Sequence, residues 1–280
     1  MTALGANRYG KSAIRLVKVV RGPDRHEVRD LTVAIALEGE FEASYVAGDN
    51  ANVVATDTMK NTVYAFAGEH LTGPIEAFGV VLADHFLTVD QVDRAIVSIE
   101  EHRWAPIGDA PDAFTRDRSS TRTAVVDARR EGTTIDAGIA DLTVMKTAKS
   151  AFSGFPRDEL TTLPETDDRL LATKVTATWR YDPSAFVLPV DFDGLFDAVS
   201  WTLLEVFAEH HSASVQATIW LIGRAIVERH PEVSEVTMTL PNLHHWLVDL
   251  ARFGLPNDRE IFTPTTEPYG LIQATVRRGD

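Results

Sequence analysis

The chain has 280 residues, 44% of them apolar, enough for one large or two ordinary globular domains with packed cores. Its 41 acidic against 27 basic residues give a formal net charge of −14, so attraction to nucleic-acid phosphates or anionic membrane surfaces is not expected. With no cysteine, a disulfide framework, a thiolate metal site and a cysteine nucleophile are excluded.

The N-terminal arm, Met1 to Lys11, is short and polar, without the apolar core of a secretory signal. No run approaches the roughly 18 uninterrupted apolar residues of a membrane span. Alternating apolar residues mark Ile14 to Arg21 as a strand, and Leu31, Val33, Ile35 and Leu37 share one face of a second. Ile75, Phe78, Gly79, Leu82 and Phe86 keep helical spacing behind Pro74, and Thr88 to Gln91 reads as a capping box opening a short second helix. Ala95 to Trp104 and Thr121 to Arg129 are strand-like.

That order then repeats. Thr134 to Thr147 and Leu170 to Tyr181 read as strands, with Val175, Ala177 and Trp179 alternating. Phe192, Leu195, Phe196, Val199, Leu203, Leu204 and Phe207 trace one helical stripe. Val215, Ile219, Ile222 and Ile226 trace another behind a Ser214 N-cap. Val236, Met238 and Leu240 alternate, and Tyr269 to Val276 supplies a last strand. The expected fold class is α+β: two tandem ββααββ domains, 1–131 and 132–280, each an antiparallel sheet with helices on one face. The bare faces and free edges favour association of subunits.

No Gly-rich phosphate loop, His-Glu-x-x-His or Gly-x-Ser-x-Gly occurs. The nine histidines include the pairs His210-His211 and His244-His245, but strand neighbours point to opposite faces, so no metal site is expected. Quieter clusters remain: Tyr9-Gly10-Lys11 on the arm, Val54 to Thr62, the long irregular link Phe152 to Arg169, and Leu240 to His245 after a strand. Read alone, these are a solvated lysine, a helix cap, a functional loop and a histidine at a sheet end.

Together, and in order, they resemble the urate oxidase family: Tyr9-Gly10-Lys11, Val54 to Asp57, Lys60 to Thr62, Phe152 to Arg169, Val215-Gln216 and Leu240 to His244. The resemblance implies the tunnelling fold, a homotetramer with active sites at subunit interfaces, and oxidation of urate by molecular oxygen to 5-hydroxyisourate and peroxide, in purine degradation, with no cofactor and no metal. Carried over residue by residue, Arg169 and Gln216 clamp the planar urate edge, Phe152 stacks on it, and Leu163 and the backbone at Val215 line the pocket. Thr56 and Asp57 match residues that contact urate from the neighbouring subunit. Lys11, Thr56 and His244 match a proton relay, and Asn242 with Thr56 the pair that holds oxygen and then water. A lysine base there must be neutral, a form favoured by desolvation or a nearby cation.

Pro156 and Pro164, and a C-terminus without the peroxisomal Ser-Lys-Leu signal, depart from the eukaryotic pattern; a cytoplasmic protein is therefore expected. The alternatives are a non-catalytic purine-binding protein of the same fold, which has no use for Lys11, Thr56 and His244 together, and a zinc-dependent pterin or GTP enzyme of that fold, which needs ligands this chain lacks.

Overall fold

The computed structural model describes residues 2–185 and 190–279, and the chain divides into two compact units. The first comprises Met1–Gly138 and Arg180–Phe196, the second Ile139–Trp179 and Asp197–Asp280.

In the first unit the elements run β1 (Tyr9–Arg21), β2 (His26–Gly39), α1 (Glu42–Val46), α2 (Thr56–His70), α3 (Ile75–Leu87), β3 (Val92–Glu101), the short β4 (Trp104–Pro106) and β5 (Phe114–Arg116), and β6 (Thr121–Arg129). The strands β1-β2-β3-β6 pair in that order, antiparallel at each step. Successive strand side chains point to opposite faces, so the alternation seen in β2 buries Leu31, Val33, Ile35 and Leu37 together. Ala95, Val97 and Ile99 of β3 and Ala124, Val126 and Ala128 of β6 join that core. The helices cover it with Met59, Val63 and Ala67 of α2 and Ile75, Phe78, Leu82 and Phe86 of α3. Gly79 sets how close α3 lies, since a Cβ there would meet Val126 Cγ2 at 2.7 Å.

Two expectations are corrected. Thr88 to Gln91 opens no helix. Thr88 closes α3, its N–H and hydroxyl both donating to the His85 carbonyl, and the chain turns directly into β3. The missing helix is α2, on the other side of α3 in sequence. Its buried stripe is only Met59, Val63 and Ala67 amid Thr, Asp, Lys and Asn, too narrow a pattern to announce itself. Tyr9 to Lys11 is likewise no loose arm: it is the start of β1, with Tyr9 opposite Leu37 and Lys11 opposite Ile35.

The second unit draws on β7 (Gly132–Lys146), β8 (Leu171–Tyr181), α4 (Phe192–Glu209), α5 (Val215–Arg229), β9 (Val233–Leu243), the hairpin of β10 (His245–Leu247) and β11 (Phe262–Pro264), and β12 (Gly270–Arg277). Its strand order is β7-β8-β9-β12. Ser214 caps α5 as its sequence position indicates, its hydroxyl accepting the Ala217 N–H at 3.1 Å. Val215, Ile219, Ile222 and Ile226 are buried along one side of that helix.

Candidate active site

In the second unit, β7 and β8 are joined by the long irregular link, 147–170, and its ends are tied down by main-chain hydrogen bonds. Phe152 and Thr166 exchange N–H···O=C bonds of 2.8 and 3.0 Å, and the Arg169 N–H donates to the Ser150 carbonyl at 2.8 Å. Ala151 donates to Ser212 at 2.7 Å, fastening the link beside the start of α5. Arg157 reaches back to the Leu163 carbonyl at 3.1 Å and so holds the outer part of the link. These bonds cross sequence gaps and leave Phe152, Leu163 and Arg169 on one wall.

That wall closes a cavity of about 520 Å³ lined by Phe152, Leu163, Arg169, Val215, Gln216, Asn242 and His244, together with Asp168, Trp246 and Arg259 among others. Every residue expected from the second half of the chain is therefore in it. Val215 and Gln216 are the first residues of α5, whose leading N–H groups have no acceptor within the helix and form its positive end. The Gln216 and Asn242 side chains make no hydrogen bond among the described residues, so their amides are available to a ligand. Arg169 is half-buried with its guanidinium 5.3 Å over the Phe152 ring, has no ion-pair partner among the described residues, and has a buried Nε without a hydrogen bond. Burial alone pushes its pKa down, the mark of a cation stripped of water and not yet compensated by an anion.

His244 lies just past β9, stacked on Trp246 with ring centroids 5.4 Å apart. Burial first, then the charges of Arg169 and His245, lower its pKa, so its imidazole is neutral at neutral pH and carries one donor and one acceptor. Asn242 is held opposite Gly270 by the β9–β12 ladder.

Lys11, Thr56 and Asp57 belong to the first unit and form a second group. The Tyr9 hydroxyl accepts the Val54 N–H at 2.7 Å and donates to the Val54 carbonyl at 3.1 Å, so one side chain ties the start of β1 to the segment that opens α2. Gly10 is required between them, because a Cβ there would stand 1.9 Å from the Ile35 carbonyl oxygen. Ala55 occupies the N-cap of α2 without a side-chain cap, so Thr56, the first helical residue, is not spent on capping; its hydroxyl has no partner among the described residues. Asp57 bonds Lys60, and Asn61 at 3.0 Å; Lys60 chiefly, with a smaller contribution from Lys11, depresses its pKa.

Sequence reasoning missed Asp168, Trp246 and Arg259. Each sits in irregular or very short structure, with no local pattern to mark it. Among the described residues no three His, Asp or Glu side chains are placed to hold a metal ion. The cavity thus offers a stacking surface, a two-pronged cation, an amide and a helix N-terminus: a receptor for a flat, hydrogen-bonding anion.

Comparison with known proteins gives the same direction. The family model described as Uricase matches residues 7–127 and 135–273. The uricase of Arthrobacter globiformis is 49% identical over 276 residues, covering 98% of this chain and 90% of that protein. The uricase of Dictyostelium discoideum is 39% identical over 99% of this chain and 98% of its own length. The crystal structure of the Arthrobacter globiformis uricase superposes with a TM-score of 0.95 at 48% identity, covering 99% of this chain and 96% of that one.

Proposed function

The chain belongs to the uricase family and is a urate oxidase of tunnelling fold, and from that premise we propose that it converts urate to 5-hydroxyisourate without a cofactor, on a site that a second copy of the chain completes. The observation that carries this reading is the unpaired, half-buried Arg169 over Phe152, beside Gln216 at the start of α5. Urate is a flat anion with alternating carbonyls and ring N–H groups. Arg169 meets it with two charged donors, Gln216 with one donor and one acceptor, and Phe152 with an aromatic face, while Leu163 and Val215 close the pocket.

Lys11, Thr56 and His244 form the proton relay. Thr56 passes a proton from bound urate toward Lys11, and the neutral His244 supports the far end. The urate dianion so formed gives two electrons to oxygen held by Asn242 and Thr56. With two protons the oxygen leaves as hydrogen peroxide, and water adds to the oxidised ring to give 5-hydroxyisourate. The balance is urate anion, oxygen and water in, 5-hydroxyisourate anion and peroxide out. Asp57 and Thr56 reach the urate of the neighbouring subunit. We take the assembly to be a homotetramer and its setting to be cytoplasmic purine degradation, in keeping with the acidic, cysteine-free composition.

The test is to mix chelator-treated protein with urate in air, following the fall in urate absorbance and the rise of peroxide, and to record the mass of the active species by size-exclusion chromatography. Turnover by an oligomer without added metal is expected. Activity that returns only on adding a metal overturns the cofactor-free reading, and an active monomer overturns the shared site.

A further inference from the structure

A cavity that must receive an anion contains a carboxylate next to its principal cation: Asp168 directly precedes Arg169, and both line the cavity. With both side chains on the wall of one cavity, a free Asp168 carboxylate would compete with urate for the guanidinium. Yet Arg169 makes no ion pair among the described residues. One oxygen of the Asp168 carboxylate, Oδ2, is held by Arg259, with Nη1 at 3.1 Å, while Oδ1 is buried without a hydrogen bond among the described residues; the same guanidinium donates from Nη2 to the Asp168 carbonyl. Thr166 also holds that carbonyl, its hydroxyl donating at 2.8 Å.

Arg259 comes from the loop between β10 and β11. Asn257 braces that loop, its amide donating to the Val248 and Ile261 carbonyls at 2.9 and 2.8 Å while its oxygen accepts the Glu260 and Ile261 N–H groups at 3.0 and 3.1 Å. Arg259 itself holds φ of 67°, in the left-handed region that a non-glycine residue adopts at a cost.

We propose that Arg259 is a positioning residue for substrate binding: by tying back and neutralising the Asp168 carboxylate, it keeps Arg169 unpaired and available to the urate anion. The residue does not act on the reacting atoms. Its effect reaches the substrate through Asp168, so it shows in binding and not in the chemical step.

The inference rests on Arg169 as the urate-binding guanidinium, and the experiment keeps the two apart. Urate oxidation by the parent, Arg259→Ala and the double variant Arg259→Ala with Asp168→Asn is measured for KM and kcat, alongside binding of urate without oxygen. Arg259→Ala is expected to raise KM and weaken anaerobic binding about fivefold with kcat little changed, since a partly exposed ion pair sets the scale. The double variant, lacking the competing carboxylate, is expected to return to within about twofold of the parent by the same scale. Parent-like KM in the single variant overturns the proposal. A double variant as weak as the single one also overturns it, because Arg259 would then be no more than a brace on the loop. A parent that neither binds nor oxidises urate removes the reading of Arg169 itself, and this inference with it.

Discussion

The two units repeat one order of elements but differ in what joins their first two strands. In the first, β1 and β2 are connected by 22–25; in the second, β7 and β8 are connected by 147–170. The scaffold devices recur across this difference. Lys18 of β1 donates to the Ala67, Gly68 and Leu71 carbonyls at 2.9–3.1 Å, closing the end of α2. Lys146 of β7 does the same for α4 through the Phe207, Ala208 and His210 carbonyls. Gly79 lets α3 approach Val126, and Gly223 lets α5 approach Val276, where an added Cβ would stand 2.5 Å from Cγ2. Such features repeat because each answers a need of any helix pair laid on a sheet: carbonyls at a helix end want donors, and close packing wants a missing side chain. The candidate cavity is made by the long link, which brings Phe152 and Arg169 together with Val215 and Gln216 at the start of α5, and a four-residue turn has no chain with which to do this.

The largest expected effects test this division of labour at the site. Lys11→Met in the first unit should lower kcat about 10²- to 10⁴-fold, the usual worth of a proton-transfer group, with anaerobic urate binding nearly kept. Arg169→Ala in the second should weaken that binding about a hundredfold, as for removal of a charged partner from a buried pair. Loss of binding alone in both variants would refute the separation into relay and clamp.

The scaffold comparison is sharpened by Gly79→Ala and Gly223→Ala. Alanine gains about 1 kcal/mol of helix propensity, but overpacking against a valine methyl costs about 1–3 kcal/mol, so both variants should be less stable in denaturant titration. Matched losses are the expectation. A neutral or stabilised variant at either position would break the equivalence of the two helix–sheet contacts.

The smallest effect concerns acid. Burial lowers the pKa of His102 in the first unit, and of His210, His230 and His244 in the second. For each, the unfolded chain takes up its proton first. The stability of the neutral form is therefore present above the usual histidine value near 6.5 and lost as pH falls through the lower folded value. Hydrogen exchange, corrected for its intrinsic rate, should show protection in α5 and β9 falling more than in α3 and β3 between about pH 7.5 and about pH 5.5. Equal losses would mean that the histidines do not distinguish the units.

Periodicity carried most of the fold. The period-two runs of β2, β6 and β8 and the broad stripes of α3, α4 and α5 are local statements about which side is buried, and each is legible residue by residue. The stripe of α2 was too thin to read, and Thr88 to Gln91 carries cap-like residues in what is a turn, since the same hydroxyl serves either end of a helix.

The sequence by itself determined the period-two runs of the strands and the broad stripes of α3, α4 and α5, because alternation resides in the residues themselves, and the ordered motifs of the family pointed to Phe152, Arg169, Gln216 and His244, which line one cavity. Tertiary structure alone decided that Phe152 lies against Thr166, that Ala151 is bonded to Ser212, and that Arg259 pairs with Asp168. Those contacts join irregular segments far apart in the chain through single hydrogen bonds and charges, which impose no period on the residues around them and become visible only once the strands and helices have brought them together.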